Sequence, residues 1–196
     1  QHPQIAVSSD LACADMTMMD GLTAKFGCTR IALQPVMMAC DPPMLALLQA
    51  EAARAHAGKL GVMRTDATFS RRISKGLAIT DSDIQSACAD IARLRAAAEA
   101  MLFTQADIIL LPVMPIATPP VENCEPGSPT FSARTLYALA AYTRFASALG
   151  LPAVVIPAGR DSNGMPVGVQ MIARHGADAA LIAFAADLTM TLASRH

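Results

Sequence analysis

The sequence predicts an α/β fold: a mixed, mainly buried β-sheet flanked by helices on both faces. Three observations carry this prediction. Short extended runs recur, and the continuous apolar one from Asp107 to Pro112 has the length and character of a strand covered on both sides. Between such runs lie stretches with apolar residues three and four apart, the spacing of a helix with one buried stripe. Asn163-Gly164, between two extended runs, is a turn signal for neighbouring antiparallel strands and makes the sheet mixed.

Taken in order, Ile5 to Val7 reads as a strand, a Met-rich stretch from Asp15 to Phe26 as a helix, and Thr29 to Leu33, after Gly27, as a second strand. Asp41 followed by Pro42 predicts a helix start, because a carboxylate caps free N–H groups and proline suits the first turn; with Gly58 closing it, a helix is expected over 42–57. Thr80 and Asp83 have capping-box spacing, and Ile84, Cys88, Ile91, Leu94, Ala98 and Met101 give the helix that follows its expected buried stripe. Residues 112–130 hold six prolines, so an irregular loop is expected at the carboxyl end of the 107–112 strand, where sites are often built. Ser132 to Leu149 predicts one helix, ended by Gly150 and prevented from continuing by Pro152. Ala153 to Ile156 and Val167 to Ile172 form the predicted hairpin. A last helix from about Asp178 places Leu181, Ala185, Leu188 and Leu192 on one face, with Arg195 and His196 at its end. With no repeat or linker, residues 1–196 are expected to form a single region.

Composition excludes several function classes. Mean hydropathy is +0.38, yet Gly, Pro, Arg or Thr interrupts every apolar run well short of the roughly 18 residues a spanning helix needs, so no membrane span is expected. A net charge of -1 without a basic stripe gives nucleic acid nothing to hold. Five cysteines without a C-x-x-C pair argue against a disulfide framework or a zinc site; no metal or cofactor is expected, and a reducing cytoplasm is the expected home. Twelve methionines and no tryptophan suggest adaptable packing surfaces, some of them for a partner. The chain opens at Gln1 without a start Met or a signal-like segment, and an upstream portion is expected to be missing.

Three ordered stretches resemble the amidase-signature family of serine amidases. They are Asp107-Ile-Ile-Leu-Leu-Pro112-Val-Met-Pro115, then Tyr142-Thr-Arg-Phe145 through Gly150-Leu-Pro152 to Pro157-Ala-Gly159, then Asn163-Gly164-Met-Pro166-Val-Gly168-Val-Gln170. The likeness is to the family's second half and extends more weakly to Arg93, Arg95 and the Ile5 to Leu33 unit; Val113 departs from it, since a Thr is common there. The resemblance implies the amidase-signature fold. It also implies hydrolysis of a carboxylic amide, or ammonia transfer from one, by a Ser nucleophile, a second Ser in a cis peptide and a Lys base. Those residues belong to the family's first half. Here Lys25, Lys59 and Lys75 have the wrong setting, and Ser8-Ser9 has no glycine beside it, so no catalytic residue is carried over. Without an activating base and aimed N–H donors a serine hydroxyl does not attack an amide, and this chain alone is expected to be inactive.

The resemblance and the loop's place together nominate Met114 and Pro115 as walls of a substrate pocket, with Tyr142 and Thr143 as polar contacts to a small amide. Each also has a structural reading: strand end for the loop, hydrogen-bonded helix residues for the pair. Gly159, Gly164 and Gly168 read as turn glycines, His56 as a helix-end residue, Cys40 beside Asp41 as a core thiol, Asp81 and Asp83 as caps, and Glu122 and Glu125 as solvated loop residues. His175 has no catalytic setting.

Two functional readings follow. In the first, the chain is part of an amidase that needs a missing N-terminal half or a partner chain. In the second, it is a stand-alone non-catalytic structural or docking subunit. An unrelated small-ligand domain would require three ordered matches to be coincidence. Self-association into a homo-oligomer is expected from the strand edges and apolar faces that a half would leave open.

Overall fold

The computed structural model describes residues 3–59 and 67–193. Arg195 and His196 lie outside them. Five strands, β1 (Ile5–Ser8), β2 (Thr29–Ile31), β3 (Ile108–Pro112), β4 (Ala153–Arg160) and β5 (Pro166–Ala173), form one sheet in the order β2-β1-β3-β5-β4. The first three run parallel and β5 is antiparallel to both β3 and β4, so the sheet is mixed. All five residues of the central β3 are buried, as its unbroken apolar run requires.

Alternation along the strands divides the core in two. Ala6, Ile109, Leu111 and Ile172 point to one face, covered by α2 (Gln34–His56), α4 (Asp81–Leu102) and α7 (Arg144–Leu149). Ile5, Val7, Ile108, Leu110 and Met171 point to the other, covered by α1 (Thr17–Phe26) and α8 (Asp178–Ala193), where Leu181, Ala185 and Leu188 are buried as predicted. The outer elements remain apolar where nothing covers them: Val155 on the edge strand β4 is 52% exposed, Met38 on α2 66%, and Ile182 and Met190 on α8 61% and 74%.

Several sequence expectations are corrected. The helix expected over 42–57 starts eight residues earlier, and Pro42 and Pro43 lie inside it. Lacking N–H groups, they release the carbonyls of Met38 and Ala39, which lie on an exposed stretch open to water. Asp41 is therefore no cap: its carboxylate takes a two-pronged pair from Arg144 at 3.0 and 3.1 Å. Gly58 falls in a short 3₁₀ turn, Ala57–Lys59, after α2. The helix α3 (Ala67–Leu77) is not among the expected elements, although Phe69, Ile73 and Leu77 recur four apart among charged residues; it crosses α2 so closely that a Cβ on Gly76 would lie 2.1 Å from the Gln49 carbonyl oxygen.

Thr80 and Asp83 make the predicted capping box of α4, each side chain accepting the other's amide, at 3.1 and 3.0 Å. Of the expected stripe, Ile91 and Ala98 are buried and Ile84 and Leu94 half-buried, while Cys88 and Met101 are exposed and their neighbours Ala87 and Leu102 are covered instead. The Pro-rich loop contains a single short turn of helix, α5 (Val121–Cys124). The single helix expected over 132–149 is broken into α6 (Ala133–Ala138) and α7, with residues 139–143 as turns between them. Gly150 ends α7 in the left-handed region, φ 69°, as expected.

Candidate functional site

Parallel strands bring their carboxyl ends, Ser8 of β1 and Pro112 of β3, to one end of the sheet, and the antiparallel register puts the β4–β5 turn there too. Four connections meet at this end: residues 9–16, the Pro-rich loop from 113, the α6–α7 joint 139–143 and the turn 161–165. In open α/β sheets this is the end where ligands bind.

A small recess of about 50 Å³ lies among them. Val113, Met114 and Ile116 of the Pro-rich loop form one wall, Met18 and the Cys13 region another, and Val167 and Gly168 of β5 a third. Gly168 matters because a Cβ there would stand 3.1 Å from both Val113 Cγ2 and Val155 Cγ1, so the backbone approaches closely only without a side chain. Two carboxylates border the recess, and both serve their own turns: Asp15 accepts the Thr17 amide at 2.9 Å, and Asp161 accepts those of Asn163 and Met165, each at 2.9 Å. The hydroxyl and amide of Thr17 hold the Asp15 carboxyl below its usual range.

No activated nucleophile borders this recess among the described residues. Burial, reinforced by the charges of Asp15 and Asp20, pushes the Cys13 thiol above its ordinary value of 9.0 despite its bond to the Asp15 carbonyl. Cys40 is further from reactivity: burial first, then Asp41, pushes its thiol to about 11. Ser8 Oγ donates to Asp10 Oδ1 at 2.8 Å and accepts the amides of Asp10 and Leu11. Asp10 in turn accepts the amides of Leu33 and Gln34, at 2.9 and 3.1 Å, and so caps α2 across more than twenty residues of chain. Burial pushes its carboxyl up, but the bonds from Leu33, Ser8, Gln34 and its own amide outweigh that and leave it below 3.8.

The structure places Met114 in the recess lining. Pro115 is its half-buried neighbour outside that lining, and Tyr142 and Thr143 lie in the α6–α7 joint, also outside it. Tyr142 donates its hydroxyl to the Ala12 carbonyl at 2.6 Å, tying the joint to the 9–16 loop, and burial raises the phenol above 10.0. Thr143 Oγ1 donates to the Ala140 carbonyl at 3.2 Å. A residue that sequence reasoning missed is Gln170, buried to 2% exposure, whose Nε2 donates to the Tyr142 carbonyl at 3.3 Å. Its signal was a lone amide inside the apolar run Val167 to Ile172.

Elsewhere, His56 stacks edge-on against Phe69, with ring centroids 5.4 Å apart. Arg95 Nε donates to the Ala148 carbonyl at 2.9 Å, close to Gly150 and His175. Among the described residues no three His, Cys, Asp or Glu side chains gather as a metal would need, and no helix is long and apolar enough to cross a membrane. A larger groove of about 900 Å³ opens at the other end of the sheet, between Phe26, Phe184 and Arg174, the last paired with Asp107 at 3.4 Å. It lies at the amino ends of β1 and β3, the wrong end for an α/β site.

Comparison with known proteins gives a family match, curated relatives and solved structures. A family model described as Amidase matches residues 57–182. The chain is 34% identical over 88 residues to a subunit of the glutamyl-tRNA(Gln) amidotransferase of Neisseria gonorrhoeae, covering 45% of this chain and 17% of that protein. Likewise it is 34% identical over 90 residues to the fatty acid amide hydrolase of Oryza sativa subsp. indica, covering 44% of this chain and 14% of that one. In solved structures it superposes on a crystal structure of an amidase with a TM-score of 0.81 at 23% identity, covering 96% of this chain and 46% of the other. A 6-aminohexanoate cyclic dimer hydrolase gives 0.75 at 19%, covering 98% and 45%. The chain thus spans less than half the length of these structures, and its aligned stretch less than a fifth of the curated relatives.

Proposed function

We propose a function from the premise that this chain belongs to the Amidase family: it supplies the sheet end and acyl-side walls of an enzyme that hydrolyses a carboxylic amide or transfers its ammonia. The Ser, cis-Ser and Lys of that chemistry lie outside the chain, in a missing N-terminal half or a partner chain. The observation that carries the reading is a recess at the strands' carboxyl ends lined by Val113, Met114 and Ile116, with no lysine, histidine or serine lining it among the described residues. An amide carbon needs an activated hydroxyl and donors aimed at the oxyanion, and both must come from elsewhere. Met114 and Pro115 would then face the acyl group from the loop, and Tyr142 and Thr143 would border it from the joint. No nucleic acid, membrane or cofactor enters this chemistry, and the expected setting is the cytoplasm.

The exposed apolar residues Val155, Met38, Ile182 and Met190 support a complementary segment or partner seated on the outer faces, and self-association when it is absent. They equally suit a non-catalytic docking role. Labelling the 196-residue chain with a fluorophosphonate probe separates the readings: no adduct is expected, and a stoichiometric adduct on any serine of this chain would overturn the placement of the triad outside it.

A further inference from the structure

We propose that the recess bounded by Val113, Met114, Ile116 and Gly168 is an acyl pocket for short, unbranched, uncharged acyl groups of up to about four carbons, with Val113 setting its depth. The identity of the reacting end rests on the amidase reading; the shape and chemistry of the pocket do not.

Size comes first. One water needs about 10–15 Å³ of such space, so a recess of about 50 Å³ takes roughly four water-sized groups, the length of a butyryl chain. A hexanoyl chain or a phenyl ring exceeds it. Wall chemistry comes second. The loop and β5 present aliphatic side chains, and among the described residues no Lys, Arg or His lines the recess, while Asp15 and Asp161 stand at it as the charged groups. An anionic acyl tail would meet two carboxylates and no cation, which disfavours it. The floor comes third. A methyl at 168 would lie 3.1 Å from both Val113 Cγ2 and Val155 Cγ1 and so would press on Val113, which also lines the recess. Val113 is thus the lining side chain that limits the pocket at this point.

The test is ligand-detected NMR on the 196-residue chain with acetamide, propionamide, butyramide, hexanamide, benzamide and succinamate, together with 2-pentanone, which carries the butyryl chain without an amide nitrogen. Binding is expected to tighten about fourfold per methylene from acetamide to butyramide and to weaken for hexanamide, benzamide and succinamate. Val113→Ala should move the optimum to a longer chain, and Gly168→Ala should weaken butyramide about tenfold. If Gly168→Ala fails to fold, the Val113→Ala shift decides. Hexanamide or benzamide binding as well as butyramide, an optimum unmoved in Val113→Ala, or no binding at all would overturn the proposal. The two readings fail separately. If 2-pentanone shows the same length-matched binding while the completed enzyme turns over no amide, the pocket stands and the amidase reading falls. Turnover of amides without a chain-length optimum has the opposite meaning.

Discussion

Replacing Gln170 is the perturbation whose size can be worked most fully from the structure. Its side chain is 2% exposed on the sheet face between Leu111 and Val155, and it donates to the Tyr142 carbonyl at 3.3 Å. Gln170→Leu keeps the volume, adds apolar burial and leaves that carbonyl without this donor; the net loss should be about 1–2 kcal/mol, from an unmade-bond cost of about 1–3 kcal/mol less the apolar gain. For a chain of this length each kcal/mol shifts Tm by about 2–4 °C. Gln170→Glu separates the bond from the packing. A protonated Glu can donate to the same carbonyl, whereas a carboxylate there is buried, unpaired and facing an oxygen, at a cost of about 3–5 kcal/mol. Burial raises the folded pKa of that Glu above its unfolded value, so the variant is closest to wild type below about pH 4.3 and falls behind as pH rises through the folded value. Urea unfolding of wild type and both variants between about pH 5 and 8 reads this directly. A Gln170→Glu variant as stable as wild type at about pH 8, or a difference flat with pH, would refute the account of Gln170 as a buried tie to the joint.

Other predictions follow from single contacts. Gly76→Ala places a methyl 2.1 Å from the Gln49 carbonyl oxygen and 2.7 Å from Ala53 Cβ, so α2 and α3 must part, and thermal unfolding should show a loss of about 1–3 kcal/mol instead of the small gain an exposed helix glycine would give. The Asp10 carboxyl lies below 3.8 in the folded chain, so the stability it provides is present above that value and lost as pH falls through the lower folded one; Asp10→Asn should be less stable at neutral pH and flatter in acid, read by circular dichroism. Tyr142→Phe removes the 2.6 Å bond to the Ala12 carbonyl and should speed amide hydrogen exchange in residues 9–16 and 139–143 while leaving β3 unchanged.

What the sequence disclosed was mostly local. The capping box of α4, the Asn-Gly hairpin, the buried β3 and the left-handed stop at Gly150 each depend on residues within a few positions of one another, and each forms as expected. The start of α2 is not legible this way, because its cap, Asp10, comes from another connection, while Asp41-Pro42 imitates a start inside the helix. Nor does the Leu139-Ala-Ala-Tyr-Thr143 stretch hold a glycine or proline to announce the break between α6 and α7. That joint is held by distant groups: Gln170 on the Tyr142 carbonyl, Ala12 under its hydroxyl, and Asp41 against Arg144. The expected α4 stripe holds at Ile91 and Ala98 and is a position off at Cys88 and Met101, since a helix rich in small apolar residues supports neighbouring stripes and the packing partners choose between them. For the site, the Pro-rich loop was visible as a loop at a strand end, and Met114 with it, while the part played by Gly168 depends on an approach to Val113 from another strand.

The most direct test of the central claim is turnover of butyramide by the purified chain, measured alone and when produced together with an amidase segment carrying the lysine and the Gly- and Ser-rich loop. The account predicts no ammonia release from the chain alone and clear release from the pair. Equal release by the chain alone would contradict it and place the chemistry on residues assigned here to turns and caps.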